Sequence, residues 1–339
     1  ADQWGKLEGD LPHLIEVGDT LVEMYRQVPD YAELQLRGLN FASNLIGFLH
    51  LRREVQRLEW LEMGLKISKR RGKQKHESAF LNAMASYYAA VGEKYRALEI
   101  LEQALSIDRI LGDQSSEATA LNNIGEFWSG LGEHEKALDY FKQSLFLHNT
   151  IDKQRSKAIL LSNIGLANRR LGEHQTAFEY YMQALPLHQA EKDRTGEART
   201  LSNIGIVLFA LDEKVQALKQ FEKALPIHQA VGDRLGEATT LSNIGLIYFH
   251  SDRIEEALEI QRQIITIYQI IRSPSSEALT RFNFAAVLYR LNRIEEAIEQ
   301  VRESSAIFRK YNLPEDSGGG TLAENEVFLK MLEEKNASK

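Results

Sequence analysis

Asparagine recurs at 40-residue intervals along this chain, at Asn123, Asn163, Asn203, Asn243 and Asn283. A carboxamide both donates and accepts hydrogen bonds, so a row of them can grip an extended backbone. Asparagine is also a poor interior helix residue, by up to about 0.7 kcal/mol, and something must offset that cost at every step. Two readings stand side by side. The row faces a groove and binds a partner's backbone, or it knits adjacent repeats together, and the two can coexist. Positions four before and three and seven after each asparagine share its helix face. They are Ile159, Leu166 and Arg170 around Asn163, then Arg199, Ile206 and Ala210 around Asn203, then Thr239, Leu246 and His250 around Asn243. The face reads as an apolar floor (Leu166, Ile206, Leu246) beside arginines (Arg170, Arg199, Arg290), suited to a segment with apolar anchors and some acidic character. Ordinary packing of the three apolar residues between repeats is the competing reading.

Histidine forms a second row, at His148, His188 and His228. Ligands to one metal ion sit about 2.0–2.1 Å from it, whereas an intervening helix separates equivalent residues, and helix axes pack about 8–10 Å apart. No ion can be shared, so these residues are expected on the second-helix surface or in the groove, and no metal or other cofactor is expected. A basic run, Lys66 to His76, lies near a helix end, where its charges suit the dipole. No aromatic residue interleaves with it, and the formal charge of −7 opposes general phosphate-driven nucleic-acid binding. Phosphate-loop, serine-elbow and zinc-protease signatures are absent. The chain is therefore read as not an enzyme.

The elements that position these residues follow from the same step. Leu121-Asn-Asn-Ile-Gly125 returns as Leu161-Ser-Asn-Ile-Gly165, Leu201-Ser-Asn-Ile-Gly205 and Leu241-Ser-Asn-Ile-Gly245. Weaker copies lie at Leu81 to Ala85 and Arg281 to Ala285. Ala97, Ala137, Ala177, Ala217, Ala257 and Ala297 keep the register, followed four residues later by Leu101, Phe141, Tyr181, Phe221, Gln261 and Val301. The helical spacing of Leu161, Ile164, Gly165 and Asn168 predicts a first helix. A turn follows at Leu171-Gly172, where glycine suits the left-handed cap; Asp212, Asp252 and Asn292 replace it later. A second helix runs through Ala177, Tyr181, Ala184 and Leu185. Gly112-Asp113 and Gly232-Asp233 end one unit and offer an aspartate N-cap to the next. The mid-helix glycine predicts close helix approach, with the second-helix alanine as the facing small residue.

Leu161, Ile164, Gly165, Gly172, Ala177, Tyr181 and Ala184 resemble the tetratricopeptide-repeat pattern over most of the chain. The unit here has 40 residues rather than about 34. The family's closing proline is absent, and Pro186 and Pro226 sit earlier, where each is expected to kink the second helix. The resemblance implies an all-α fold, tandem helix-turn-helix repeats forming a right-handed superhelix. Forty-residue units with Gly-Asp-Arg linkers are similar to those of spindle-orientation scaffolds. Trp4 through Leu14, with Phe48 to Leu51 and Trp60-Leu61, resembles the junction after the nucleotide-binding module of bacterial STAND ATPases.

The expected organisation is N-terminal capping helices in 1–40, seven repeats in 41–320, and a capping helix and tail in 321–339. Ser317-Gly-Gly-Gly320 reads as a flexible joint. With Ala1 in first place the chain reads as a piece of something longer. It has no cysteine, no membrane-length apolar run and no opening signal peptide, so a cytoplasmic setting is expected. The function these features imply is protein–protein recognition in a concave groove, as scaffold or sensor of a larger bacterial signalling protein. A self-associating structural array, or an accessory segment of an ATPase or protease, are the alternatives.

Overall fold

In the computed structural model, which describes residues 11–27, 56–150, 154–313 and 321–337, every element is an α-helix. The chain divides into two compact units, 1–177 and 178–339. In the first, α1 (Leu11–Gln27) packs on α2 (Gln56–Arg70). The hairpins α3 (Gln74–Ala90) with α4 (Lys94–Leu111) and α5 (Gln114–Gly130) with α6 (His134–His148) follow, then α7 (Gln154–Arg170). The boundary falls inside α8 (His174–Ala190). The second unit continues with α9 (Arg194–Ala210), α10 (Lys214–Val231), α11 (Arg234–His250), α12 (Ile254–Ile270), α13 (Pro274–Arg290) and α14 (Ile294–Tyr311). It ends on α15 (Leu322–Ala337). Residues 41–55, where the first helix of the first expected repeat falls, lie outside the described residues, as do Trp4, Phe48 to Leu51 and the Ser317 to Gly320 joint.

Each hairpin turns where a residue takes positive φ. Gly172 has φ 82°, and Asp212, Asp252 and Asn292 hold the same place at 62°, 57° and 58°. Short polar side chains tolerate this left-handed geometry better than most residues. Between hairpins, Gly232 caps α10 at φ 72° and Asp233 caps α11, accepting the Gly236 N–H at 3.0 Å. Asp193 does the same for α9 through Gly196 at 3.1 Å. Glu237 then accepts from Gln229 at 3.0 Å and Arg234 at 2.7 Å, fastening the end of α10 to the start of α11.

Packing within a hairpin centres on the mid-helix glycine. A Cβ on Gly125 would lie 2.4 Å from the Phe141 ring, and one on Gly205 would lie 2.7 Å from Phe221. The facing group is thus an aromatic ring and not the expected alanine. The ring takes the place against the bare backbone because it has more apolar surface to bury than a methyl group. Both Phe141 and Phe221 are fully buried. Gly245 differs, because Gln261 stands where the ring would be and the nearest atom is Ile260 Cγ2 at 3.0 Å.

Pro186 and Pro226 do not end their helices: α8 runs on to Ala190 and α10 to Val231. Both prolines are exposed, as are Met182 and Glu222, whose carbonyls lose their helix partner. Water can therefore serve those carbonyls. At the far end, Thr321 and Glu324 form a reciprocal capping box: the Glu324 N–H donates to Thr321 Oγ1 at 3.2 Å, and the Thr321 N–H donates to Glu324 Oε2 at 2.9 Å. This starts α15, whose Phe328 packs edge-on against Phe282 and Tyr289 while Leu332 is fully buried.

These contacts predict unequal costs for one added methyl. Gly205→Ala is expected to destabilise the chain by about 1–3 kcal/mol, overpacking against Phe221 outweighing the gain in helix propensity. Gly245→Ala is expected to cost less than half of that. Urea melts of both variants check the order, and equal midpoints would remove the ring from the account.

Candidate functional site

Among the described residues, clefts open between consecutive first helices, one of them in each unit, over the second helix that joins them. The one in the first unit, about 380 Å³, lies between α3 and α5 with Ala85, Leu101, Asn123, Glu126 and Phe127 among its walls. The one in the second unit, about 460 Å³, lies between α11 and α13. Its floor is Gly245, Ala257 and Gln261; Leu246, Phe249 and Val287 give apolar walls, and Asn243, Asn283, Ser242 and Thr280 add polar ones.

The residue of the second helix that faces the floor differs at both openings from the ring found elsewhere. The clefts occupy equivalent places, Ala85 and Leu101 in one corresponding to Gly245 and Gln261 in the other. In the hairpins α5/α6 and α9/α10 the place of Leu101 and Gln261 belongs to Phe141 and Phe221, and the ring fills the space over the glycine. In the two cleft-bearing hairpins Leu101 and Gln261 stand there instead, and the floor is uncovered.

The asparagine row splits in its behaviour. Asn123 donates to Asn82 Oδ1 at 3.1 Å, and Asn163 donates to Asn122 Oδ1 at 3.1 Å and Glu126 Oε1 at 2.7 Å. In the first unit the carboxamides tie one first helix to the next. Asn243 instead donates to Thr239 O in its own helix at 3.0 Å, leaving its carbonyl oxygen open. Asn283 is exposed and makes no side-chain hydrogen bond among the described residues; Asn203 is half-buried. The cause lies one residue before the row in the preceding repeat. Asn82 and Asn122 reach across, whereas Ser202 turns to His228 and Ser242 donates to Ala238 O at 2.9 Å.

The remaining expected site residues scatter. Leu246 is 42% exposed and lines the second cleft, while Leu166 and Ile206 are half-buried. Arg199 points to the next helix start, 3.7 Å from Asp233 Oδ2. Arg170 is exposed, and Arg290 lies over the Phe249 ring at 4.7 Å. Sequence reasoning missed Phe249, Val287 and Gln261. The available signal was Gln261, the one polar residue in the series from Leu101 to Val301.

The histidine row is buried, not on the surface or in the groove as expected. His228 is 1% exposed, with Nδ1 3.2 Å from Asp233 Oδ2 and Nε2 3.2 Å from Ser202 Oγ. Ser202 Oγ lies 3.0 Å from Thr240 Oγ1, so the network joins α9, α10 and α11. His188 repeats the contact to Asp193 at 3.0 Å, and His148 turns to the Ser144 carbonyl at 3.0 Å. The reason is space: a Cβ on Gly196 or Gly236 would collide with the imidazole, so glycine there admits the ring between helices. Asp233, His228 and Ser202 are linked in the order of an acid–base–nucleophile chain. The serine, however, is buried and its hydroxyl is already engaged by Thr240, so this chain of contacts ends in packing. Burial lowers the His228 pKa against the opposing pull of Asp233. Asp233 is itself held below the usual carboxylate range: its own desolvation is outweighed by the Gly236 N–H, His228 and Arg199. In the first unit the equivalent buried place is held by Asp108, 1% exposed, with neither carboxyl oxygen hydrogen-bonded. Burial pushes this carboxyl up, and the nearby Ser78 hydroxyl, which is not in hydrogen-bonding geometry, opposes it.

Much of the basic run is engaged within the fold. Lys75 pairs with Asp113 at 3.1 Å, Lys69 lies 3.8 Å from Glu77, and Lys66 and Arg70 each lie 5.9 Å from the Tyr25 ring. Among the described residues no cluster of three or more candidate ligands could hold a metal ion, and no helix is long and apolar enough to cross a membrane.

Helical hairpins in tandem, each closing a glycine or alanine of its first helix against its second, define a repeat array that works by presenting surface. The tetratricopeptide-repeat family model matches residues 76–146, 156–230 and 236–310, well over half of the chain, and the chain belongs to that family. Such arrays serve as interaction modules. No curated protein matches the sequence. Among solved structures, a Rap protein complexed with competence and sporulation factor aligns with TM-score 0.59 at 14% identity, over 100% of this chain and 99% of that one. Aspartyl phosphate phosphatase F from Bacillus subtilis aligns with TM-score 0.59 at 14% identity, over 94% of both chains. A STAND protein with a tetratricopeptide-repeat sensor from Pyrococcus horikoshii aligns with TM-score 0.58 at 13% identity, over 94% of this chain and 52% of that one. At these identities the likeness is one of fold.

Two pH dependences follow. The folded His228 pKa lies below its unfolded value of about 6.5, so the unfolded chain binds the proton first. The stability this implies is complete above pH of about 6.5 and is lost as pH falls towards the folded value. Urea midpoints are expected to drop between about pH 7.5 and 5.5, and His228→Asn to flatten that drop; an identical drop would exclude His228 as its source. Asp108 has the opposite sign. Its folded pKa is raised, so its stability contribution is present at low pH and is lost as pH rises through the folded value. Asp108→Asn is expected to gain about 1–3 kcal/mol at neutral pH and above, and far less under acid conditions, in the same melts.

Proposed function

We propose that this chain is a protein-interaction scaffold whose second unit holds an extended segment of a partner protein in the cleft between α11 and α13. The observation that carries the reading is the uncovered floor at Gly245 and Gln261 with two carboxamides, Asn243 and Asn283, standing beside it. An extended peptide needs main-chain partners and a socket for alternate side chains. Asn243 offers its carbonyl oxygen, Asn283 offers donor and acceptor, and Leu246, Phe249 and Val287 form the socket. Asn123, Asn163 and Asn203 belong to the same proposed row. The first two already hold neighbouring repeats together, which makes them secondary contacts for a ligand.

A place in a larger signalling protein, as scaffold or sensor, is consistent with the fold relatives, one a complexed Rap protein and another a STAND protein with a repeat sensor. A cytoplasmic setting goes with that reading.

Gln261→Phe tests it with little risk to the fold, since phenylalanine holds the equivalent place at 141 and 221. The variant is expected to melt at or above the parent's temperature and to lose partners that the parent captures from lysate. Asn243→Ala with Asn283→Ala is expected to weaken the same capture by about tenfold or more, as removal of two hydrogen-bonding groups implies. Unchanged capture by a folded Gln261→Phe chain would rule the cleft out as the binding site.

A further inference from the structure

We infer that the cleft between α3 and α5 is a second recognition site, and that it selects an arginine or lysine side chain of a partner protein. The inference concerns the first unit alone and does not depend on the cleft between α11 and α13.

The hydrogen bonds around this cleft fix which way its carboxamides face. A carbonyl or an ionised carboxylate can only accept, so the group that meets one must be a donor. Asn82 Nδ2 donates to the Ser78 carbonyl at 3.0 Å, which leaves Asn82 Oδ1 to accept from Asn123 Nδ2 at 3.1 Å. Glu126 Oε1 accepts from Asn122 Nδ2 at 2.8 Å and from Asn163 Nδ2 at 2.7 Å. Ser86, on the cleft wall, sends its hydroxyl proton to the Asn82 carbonyl at 3.2 Å. Donors are drawn into the helices and the contacts between them, and oxygens are left facing outward. Asn123 and Glu126 both line the cleft, and neither Asn123 Oδ1 nor Glu126 Oε2 accepts a hydrogen bond among the described residues.

Two amides holding one oxygen of Glu126 set its other oxygen in a fixed place. An ammonium or guanidinium meets such an oxygen with a charge-assisted bond, stronger than one between neutral groups. Ala85, Ala89 and Leu101 suit the aliphatic stem of a long basic side chain. The Phe127 ring adds an aromatic wall of the kind cations favour. Lys94 lines the same cleft and opposes a cation there. It is exposed and has no ion pair among the described residues, so its flexible stem can carry the ammonium out into water, whereas Glu126 is fastened from two sides.

Peptides selected on the full chain from a random phage-displayed library, labelled and titrated by fluorescence anisotropy, provide the test. Ala89→Trp, at an exposed wall, fills the cleft without touching its buried floor. Ala85→Gly with Leu101→Phe fills it from below, reproducing the pair Gly125 and Phe141. Melts show which of these variants fold, and if the buried pair does not, Ala89→Trp decides alone. Binders lost on the filled chains are expected to carry Arg or Lys. Glu126→Gln keeps an acceptor for Asn122 and Asn163 and removes the charge, and it is expected to weaken these binders about tenfold. Replacing the peptide's basic residue by Gln is expected to cost as much on the parent and to add nothing further on Glu126→Gln. Lys94→Gln is expected to tighten them about twofold. Cleft binders without a basic residue, binders weakened by Lys94→Gln, or affinities unchanged by Glu126→Gln would overturn the inference. A library yielding no binder sensitive to Ala89→Trp would overturn it too, while binders sensitive to Gln261→Phe would still report the other cleft.

Discussion

A bare stretch of backbone under an aromatic ring is the contact on which the rest of the hairpin depends. In α5/α6 and α9/α10 the ring of Phe141 or Phe221 seats on Gly125 or Gly205, so the two helices approach more closely than any side chain there would permit. That approach fixes the height of the first-helix face above the second helix. It also determines whether space remains. A ring over the glycine fills the hairpin; Leu101 over Ala85, or Gln261 over Gly245, leaves a hollow. Stability and binding thus use the same position, and a repeat that opens a cleft gives up part of its apolar burial to do so.

Contacts between hairpins are of another kind. They are polar, buried and repeated: an aspartate caps the next helix, a histidine leans on the aspartate, and a glutamate gathers a glutamine and an arginine. Every polar atom drawn into such a junction must find a partner, because an orphan costs more than a made bond gains. Asp108 shows the alternative: it has the buried place without the partner and is driven towards its neutral form.

The 40-residue step, the two-helix unit, the left-handed turns at Gly172, Asp212, Asp252 and Asn292, and the aspartate caps were all legible in the sequence. Each is a local rule, decided by residues within a few positions of one another. What was not legible depended on a neighbour forty residues away. Asn163 and Asn243 look alike in the sequence, yet one is held by Asn122 and the other is released because Ser202 is committed to His228. The histidines were expected on the second-helix surface or in the groove once a shared metal ion had been excluded. Gly196 and Gly236, small enough to admit an imidazole, move them inside.

The junction built on His228 and Asp233 is nearly the same in sequence as the one built on His188 and Asp193: His-Gln-Ala followed two residues later by Asp-Arg, then Gly-Glu-Ala. Joining the first half of one to the second half of the other keeps the contacts the two share: the aspartate cap, the histidine beside it, and the glutamate that gathers a glutamine and an arginine. An in-frame gain or loss of forty residues between these points therefore leaves no mismatched seam. Misaligned recombination within the gene would change the number of repeats while sparing the interfaces, so the length of such an array can vary more freely in descent than the identity of any residue inside it.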